Sequence, residues 1–170
     1  MRKKYCIANW KMNQSIKDCK DFAIYMDDNF NYNSSEMLIC PSFIHLDLMS
    51  DLFYASQIEI GSQSISEYQN GAFTAEISCE MLLDMNINWA IIGHSERRQI
   101  FKESDYTVHN KLKNAVKNGI NPILCIGETL AQRQSGNTES ILKSQMEIAI
   151  NSLDFTNVNL IIAYEPVWAI

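Results

Sequence analysis

The sequence contains no long hydrophobic run, and this absence argues against a membrane protein. No stretch of the 170 residues approaches the roughly 18 consecutive apolar residues that a membrane-spanning helix needs. The start of the chain is basic, but polar Asn9 follows after only a few apolar residues, which is too short for the apolar region of a signal peptide. We therefore expect a soluble, cytoplasmic protein.

Positive charge is also scarce. The formal net charge is −6, and the 14 lysines and arginines are scattered along the chain. Nucleic-acid binding needs a basic face for phosphate contacts, so the composition argues against it. A small phosphorylated metabolite is still compatible, because single lysines and helix N-termini capture small anions whatever the overall charge.

Signatures of metal and cofactor binding are missing. Neither a P-loop nor a dinucleotide-binding fingerprint is present, and no carboxylate motif joins the widely separated His45, His94 and His109. The five cysteines are an odd, dispersed set without a Cys-x-x-Cys pair, which is typical of reduced thiols. We expect no metal, no organic cofactor and no disulfide framework.

What is present is the composition of an ordinary folded domain, with 46% hydrophobic and 20% charged residues. No linker or low-complexity tract divides the chain, so we predict a single domain over residues 1–170. Asn33-Ser34-Ser35 fits a glycosylation sequon, but without a secretory signal a polar loop is the favoured interpretation.

Strand-like apolar runs recur along the chain, at residues 5–9, 37–40, 58–62, 89–93, 122–127 and 160–164. Segments of helical periodicity lie between them, and repeats of roughly 20 to 40 residues predict βαβ units and a parallel sheet. Most of the runs are apolar almost throughout, as in strands covered on both faces. Periodicity leaves open whether this α/β sheet is doubly wound or closed into a barrel.

Three helices are predicted from apolar stripes, which are formed by Ile16, Cys19, Phe22, Ala23, Met26 and Phe30, by Val108, Leu112, Ala115 and Val116, and by Ile141, Leu142, Met146, Ala149 and Leu153. Ser104 is expected to cap the second helix and Asn137 the third. Asn118-Gly119 could form a hairpin turn, but the preceding helical stripe favours a helix end.

Three apolar runs give way to polar residues that could carry chemistry, in the segments Asn9-Trp10-Lys11-Met12-Asn13, Ile91-Ile92-Gly93-His94-Ser95-Glu96-Arg97-Arg98 and Ala163-Tyr164-Glu165-Pro166-Val167-Trp168. Pro166 gives Glu165 a rigid, extended exit from its strand, where a carboxylate is typical of a catalytic group. A cap or a salt-bridge partner is the alternative role for Glu165.

His94 adjoins a short helical turn that begins at Ser95. The positive end of the helix dipole disfavours the imidazolium and keeps the ring neutral, although a purely structural histidine would fit the same position. Lys11 lies beside Asn9 and Asn13, and a cation among amides can hold a phosphate and stabilise negative charge on an oxygen. Most lysines are solvated surface residues, which is the alternative for Lys11.

In order and spacing, these three segments closely resemble the triosephosphate isomerase family. The resemblance implies a (β/α)8 TIM barrel, of which this chain covers roughly the first six units. It also implies a glycolytic and gluconeogenic isomerase that interconverts dihydroxyacetone phosphate and glyceraldehyde 3-phosphate, with Glu165 as the base, His94 as the proton shuttle and Lys11 as the stabilising cation.

The resemblance extends to neighbouring residues. Asn9 would orient Lys11 and a substrate oxygen, and a hinge of a closing lid would begin at Pro166-Val167-Trp168. Glu96, Cys125 and Glu128 match positions that support the catalytic side chains in the family. Arg97 and Glu103 resemble a structural ion pair.

A homodimer is implied by the loop Gln69-Asn70-Gly71-Ala72-Phe73-Thr74-Ala75-Glu76, which resembles the family loop that reaches into a neighbouring subunit. Two positions depart from the family pattern. Ala75 stands where a glycine is usual, and Ser62-Gln63-Ser64 replaces Ala-Gln-Asn. If the glycine position has a positive φ, alanine there would strain the loop by roughly 1 kcal/mol.

Two alternatives to an active isomerase stay open on the sequence alone. A complete barrel typically needs ~250 residues, so a chain ending at Ile170 could be a non-catalytic fragment that needs its C-terminal part or a partner. The other alternative is a different phosphate-binding barrel enzyme, which the coincidence of three motifs disfavours.

Overall fold

The fold alternates strands with helices. The computed structural model describes residues 3–29 and 35–170, so Phe30 and the sequon residues Asn33 and Ser34 lie outside the described part. The strands are β1 Lys4–Asn9, β2 Ser35–Cys40, β3 Ile58–Ile60, β4 Trp89–Ile92, β5 Asn121–Ile126 and β6 Ile161–Tyr164. The helices are α1 Ile16–Asn29, α2 Leu46–Leu52, α3 Cys79–Asp84, α4 Ser95–Gln99, α5 Asp105–Lys117, α6 Leu130–Gln134 and α7 Thr138–Ile150, with 3-10 turns at Phe43–His45 and Val167–Ala169.

The strands form two three-stranded sheets, ordered β1-β2-β3 and β4-β5-β6. Pairing is parallel between β1 and β2, between β2 and β3, and between β5 and β6. In the last pair Ile123 lies opposite Ile161 and Ile126 opposite Tyr164. Parallel neighbours need a crossover connection, and the helices between the strands supply it. The expected α/β class with parallel strands is therefore confirmed, and the sheets of the described residues are not closed.

The chain divides into two compact units, residues 1–63 with 81–89 and residues 64–80 with 90–170. In the first unit the fully buried side chains include Leu38 and Ile39 of β2 and Met49 of α2, and α2 packs against β3. In the second unit Leu112 of α5 and Leu124 of β5 have no exposed surface. Each unit thus buries one face of a helix against its own sheet, which is the usual way such layers are stabilised.

The strand predictions are confirmed at all six runs, with boundaries that differ by one or two residues. Of the two predicted helix caps, one is confirmed by a side-chain hydrogen bond and the other is not. Ser104 caps α5 by accepting from the Thr107 N–H, and Gly119 has a φ of 78° just after Asn118, the C-terminal cap of the helix. Asn137 precedes α7 as expected, but its side chain makes no capping hydrogen bond. The reason is its backbone, whose φ of −95° and ψ of 7° lie outside the extended region that a capping side chain requires.

The apolar stripes are only partly buried. Val108, Leu112 and Ala115 of α5 are buried as predicted, whereas Ile16 at the start of α1 is 59% exposed. Ile16 occupies the first helical position, where its side chain extends past the packed face. In α7 Ala149 is buried, but the larger stripe residues are half-buried. Among the described residues no helix is long and apolar enough to cross a membrane.

The long loop between β3 and α3 meets the condition under which strain at Ala75 is expected. Residues 64–77 form neither a helix nor a strand. Tyr68 and Phe73 stack with ring centroids 4.1 Å apart, and Asn114 of α5 donates to the Ser66 and Tyr68 carbonyls at 3.0 Å each. Ala75 has a φ of 73°, in the left-handed region that favours glycine.

We predict that Ala75→Gly stabilises the protein. Removing the Cβ relieves about 1–2 kcal/mol of left-handed strain, while the added freedom of the unfolded chain costs about 0.4–1 kcal/mol. The expected net gain in the free energy of unfolding is therefore about 0.5–1 kcal/mol by urea denaturation. Ala72→Gly in the same exposed loop is the control, because Ala72 has no positive φ, and it should destabilise. Equal changes in the free energy of unfolding in Ala75→Gly and Ala72→Gly would contradict the assignment of backbone strain to Ala75.

Candidate functional site

His94 is separated from the end of β4 by Gly93 alone, and it is the N-terminal cap of α4. Its Nδ1 accepts a hydrogen bond from the Glu96 N–H at 3.2 Å, and the side chain is 7% exposed. The Glu96 carboxylate lies 3.6 Å from the same nitrogen. Because Nδ1 accepts from a backbone N–H, the proton of a neutral ring is carried on Nε2. The local helix start thus fixes both the orientation of the ring and its tautomer.

Glu165 follows β6, where the parallel ladder to β5 continues beyond the regular strand. Its N–H donates to the Ile126 carbonyl at 3.0 Å, and the Val167 N–H donates to the Glu128 carbonyl at 3.0 Å. The Glu165 carboxylate Oε2 is 3.6 Å from His94 Nε2. This separation exceeds hydrogen-bond length, so the two groups face each other without being tied together. The structure therefore brings together a histidine and a glutamate that are 71 positions apart in the sequence, from 94 to 165.

Gly127 allows the backbone of Glu165 to come close. A Cβ built on Gly127 would lie 1.9 Å from the Glu165 carbonyl oxygen, so no residue with a side chain fits without moving one strand end. The side-chain amide of Gln145 in α7 accepts from the Gly127 N–H at 3.0 Å and donates to the Gly127 carbonyl at 3.1 Å. Neither residue is predicted by the sequence. The glycine in Ile-Gly-Glu is a usable signal for a close approach, whereas a single glutamine inside a helix carries none.

Glu128 is a fully buried carboxylate at the end of β5. Tyr164 Oη donates to it at 3.1 Å, Trp168 Nε1 at 3.1 Å and Arg133 Nη1 at 3.4 Å. The Arg133 guanidinium also lies over the Trp168 ring, 4.6 Å from its centroid. Burial opposes the charged form, but hydrogen bonds from Trp168, the backbone and the other two side chains outweigh it and lower the pKa of Glu128. The carboxylate thus fastens the turn that follows Glu165 to α6 and β5.

A cavity of about 190 Å³ lies in the second unit beside Glu165. Cys125, Gly127 and Gln145 line it, together with Ser95, Arg98, Gln132 and others. Burial raises the pKa of the Cys125 thiol to about 12, and the nearby Glu165 charge adds to the shift. Cys125 is therefore a neutral, inert group in the lining that it shares with Glu165.

Asn9, the last residue of β1, and Lys11, which follows that strand, belong to the first unit. The Lys11 N–H donates to Asn9 Oδ1 at 3.0 Å, and Gln63 Nε2 donates to the Lys11 carbonyl at 2.8 Å. Lys11 has a φ of 54°, an uncommon conformation for a lysine. Strain of this kind persists only where the surroundings impose it, and here the Lys11 backbone is held by the bond that its N–H donates to Asn9 and by the bond that its carbonyl accepts from Gln63.

The predicted ion pair between Arg97 and Glu103 is confirmed, with Arg97 Nε and Glu103 Oε1 2.5 Å apart. Lys111 shares the same carboxylate oxygen at 2.5 Å and also donates to Ser64 at 3.0 Å. Lys111 is only 3% exposed, so the pair belongs to a buried network. Its place in the molecule is structural support for α4 and α5. All five cysteines are free thiols, and four of them are buried.

Parallel strands alternate with helices, and a histidine beyond β4 and a glutamate beyond β6 lie at the carboxyl ends of strands on either side of β5. This is the arrangement of an α/β protein whose strands and helices match part of a (β/α) barrel. The family within this class follows from comparison with known proteins. A family model described as triosephosphate isomerase matches residues 4–170. The chain belongs to the triosephosphate isomerase family.

Curated relatives support the same family. Proteins named triosephosphate isomerase from Trichodesmium erythraeum and Picosynechococcus sp. are 44% and 41% identical to this chain, and each alignment covers all of the chain and 70% of the relative. A protein of the same name from Alkaliphilus metalliredigens is 40% identical, over all of the chain and 69% of the relative. The expectation of an isomerase family is therefore confirmed.

We predict that the buried Glu128 carboxylate, with its donors Tyr164, Trp168 and Arg133, makes the free energy of unfolding depend on pH. Because the pKa of Glu128 is lowered on folding, its contribution is present above the ordinary carboxylic-acid range and disappears as the pH falls through the lower folded value. Glu128→Gln should lower the free energy of unfolding at pH 7. It should also make the free energies of unfolding at pH 7 and pH 3 differ by less than they do in the unaltered protein. The measurement is urea denaturation followed by tryptophan fluorescence.

Glu147→Gln is the matched control for that experiment, since Glu147 is 67% exposed on α7. An exposed charge of this kind contributes little to stability, so the control should behave as the unaltered protein does. A Glu128→Gln variant with the same pH dependence as the unaltered protein would contradict the role of the buried carboxylate.

Proposed function

We propose that this protein interconverts dihydroxyacetone phosphate and glyceraldehyde 3-phosphate by proton transfer through an enediolate. The observation that best supports the proposal is the 3.6 Å approach of the Glu165 carboxylate to His94 Nε2, in a chain of this family. A base and a proton donor that face the same space, without bonding to each other, suit the removal of a proton next to a carbonyl.

In this mechanism Glu165 removes the proton from the carbon next to the carbonyl. Glu165 suits the task because its side chain is 46% exposed and can meet a substrate. The carboxylate holds that proton and returns it to the neighbouring carbon, so the reaction needs no redox partner. Atoms are conserved, since the product is an isomer of the substrate.

His94 moves protons between the two substrate oxygens. Its Nε2 carries the proton because Nδ1 accepts from the Glu96 N–H, so a neutral ring donates to the carbonyl oxygen as negative charge develops there. A neutral imidazole acting beside a glutamate base is the established arrangement in the triosephosphate isomerase family, and the role of His94 is carried over from it. The fixed tautomer is the feature of this chain that supports the transfer.

Lys11 neutralises the enediolate and binds the substrate phosphate, and Asn9 orients Lys11. These roles rest on the sequence motif and on family membership. The hydrogen bond from the Lys11 N–H to Asn9 Oδ1 supports the role of Asn9 in orienting Lys11. Glu96, Cys125 and Glu128 support the reacting groups and do not exchange protons with the substrate.

We predict that Glu165→Asp lowers kcat by about 100-fold, because the shorter side chain retracts the carboxylate by about 1 Å. KM should change much less, since the binding groups are untouched. The measurement is steady-state isomerisation of glyceraldehyde 3-phosphate by the full-length gene product, with Glu67→Asp as a control outside the site. An unaltered protein without isomerase activity would refute the proposed function, and an unchanged kcat in Glu165→Asp would refute the base.

His94→Gln gives a second prediction. Glutamine can donate a hydrogen bond to the carbonyl but cannot shuttle a proton, so kcat should fall by about 100-fold or more while the fold is kept. Exchange of the substrate's carbon-bound hydrogen with solvent should persist, because Glu165 still removes it. Equal kcat values for the variant and the unaltered protein would exclude His94 from the mechanism.

We further propose a cytoplasmic homodimer that associates through the loop of residues 69–76. The exposed Phe73, 39% accessible and stacked on Tyr68, is an apolar group suited to a partner's surface. If the strain at Ala75 limits association, Ala75→Gly should also tighten the dimer in sedimentation equilibrium. An unchanged dissociation constant would mean that the loop associates without needing a glycine.

A further inference from the structure

The Gln145 side chain takes the place of a neighbouring strand at the end of β5. Parallel strands point successive backbone groups alternately to their two neighbours. The Ile126 and Glu128 carbonyls face β6, because they accept from the N–H groups of Glu165 and Val167. The Gly127 N–H and C=O therefore point away from β6, on the side where β4 has already ended at Ile92.

A primary amide is suited to this position because it contains one acceptor and one donor, as a peptide group does. Gln145 uses both, with Oε1 accepting from the Gly127 N–H at 3.0 Å and Nε2 donating to the Gly127 carbonyl at 3.1 Å. An unpaired peptide group at this partly buried position would cost free energy. The two bonds therefore hold the Gly127 peptide units in one orientation.

That orientation sets where Glu165 lies. The Glu165 carbonyl oxygen would be 1.9 Å from a Cβ on Gly127, so the Glu165 backbone rests directly on the Gly127 Cα. On its other side, the Glu165 N–H is fixed to the Ile126 carbonyl. A shift of Gly127 therefore moves Glu165, whose carboxylate must keep its place near His94 Nε2.

We propose that Gln145 is a positioning residue for Glu165, acting through the Gly127 backbone. This inference rests on the proposed function of Glu165 as the base. The hydrogen bonds of the Gln145 side chain go to Gly127 and not to the Glu165 carboxylate or to His94, so its effect is on the placement of the base. A displacement of about 1 Å at a reacting group can cost about 100-fold in rate.

The test compares Gln145→Met with Gln132→Met in the full-length protein. Methionine has nearly the length of glutamine but neither donates nor accepts at Gly127. Gln132 of α6 lines the same cavity, and its Oε1 accepts from the Thr129 N–H at 2.8 Å, with no bond to Gly127. The two variants therefore make the same chemical change in one cavity, and only the first removes the contact with Gly127.

We expect Gln145→Met to lower kcat by roughly 10- to 100-fold with KM within about twofold. Gln132→Met should keep kcat within about twofold while weakening the cap of α6. Amide hydrogen exchange gives a readout independent of activity. Exchange at Gly127 and Glu165 should accelerate at least about tenfold in Gln145→Met, whereas Leu112 in α5 should keep its protection.

Each outcome decides the inference. Unchanged exchange at Gly127 and Glu165, or an unchanged kcat, would overturn it, and so would an equal loss of kcat in Gln132→Met. If amide hydrogen exchange in Gln145→Met is uniformly faster, at Leu112 as well as at Gly127 and Glu165, then Gln145 stabilises the whole fold and the positioning role is overturned. If the unaltered protein lacks isomerase activity, the proposed function fails, and the exchange measurement alone then decides whether Gln145 holds Glu165.

Discussion

The pairing of β5 with β6 is the constraint on which the site in the second unit depends. The ladder does not stop with the regular strands, because the Glu165 and Val167 N–H groups continue it to Ile126 and Glu128. Glu165 is thus held as rigidly as a strand residue although it lies beyond the strand. A reactive group on a loop would lose that precision, and sites carried by strand ends retain it.

Glu128 and Glu165 follow the neighbouring strands β5 and β6, and their different surroundings give the two carboxylates different roles. Glu128 has no exposed surface and accepts from a tyrosine, a tryptophan and an arginine, so it is a fixed acceptor. Glu165 is half-exposed and has no such donors holding its carboxylate among the described residues, and it faces a histidine whose tautomer is set by α4. The same functional group therefore serves as an anchor in one place and faces the open site in the other.

Most of the fold could be predicted from the sequence, because buried parallel strands leave continuous apolar runs and the cap at Ser104 leaves a local signal. The short helices α2, α3 and α6 were not predicted, since a segment of five to seven residues shows too little periodicity. His94 and Glu165 were predicted to belong to one site from their motifs. Gln145 could not be predicted, because its partner Gly127 is 18 positions away and the contact exists only after α7 has packed.

The placement of the thiols also determines how the protein can be labelled. Cys19, Cys40, Cys79 and Cys125 are buried, and burial raises the pKa of Cys79 to about 11 and that of Cys125 to about 12. Maleimides and similar electrophiles react with accessible thiolates, so in the folded protein they are directed to Cys6, the exposed cysteine on β1. A fluorophore or spin label can therefore be attached in the first unit while Cys125, beside Glu165, stays unmodified.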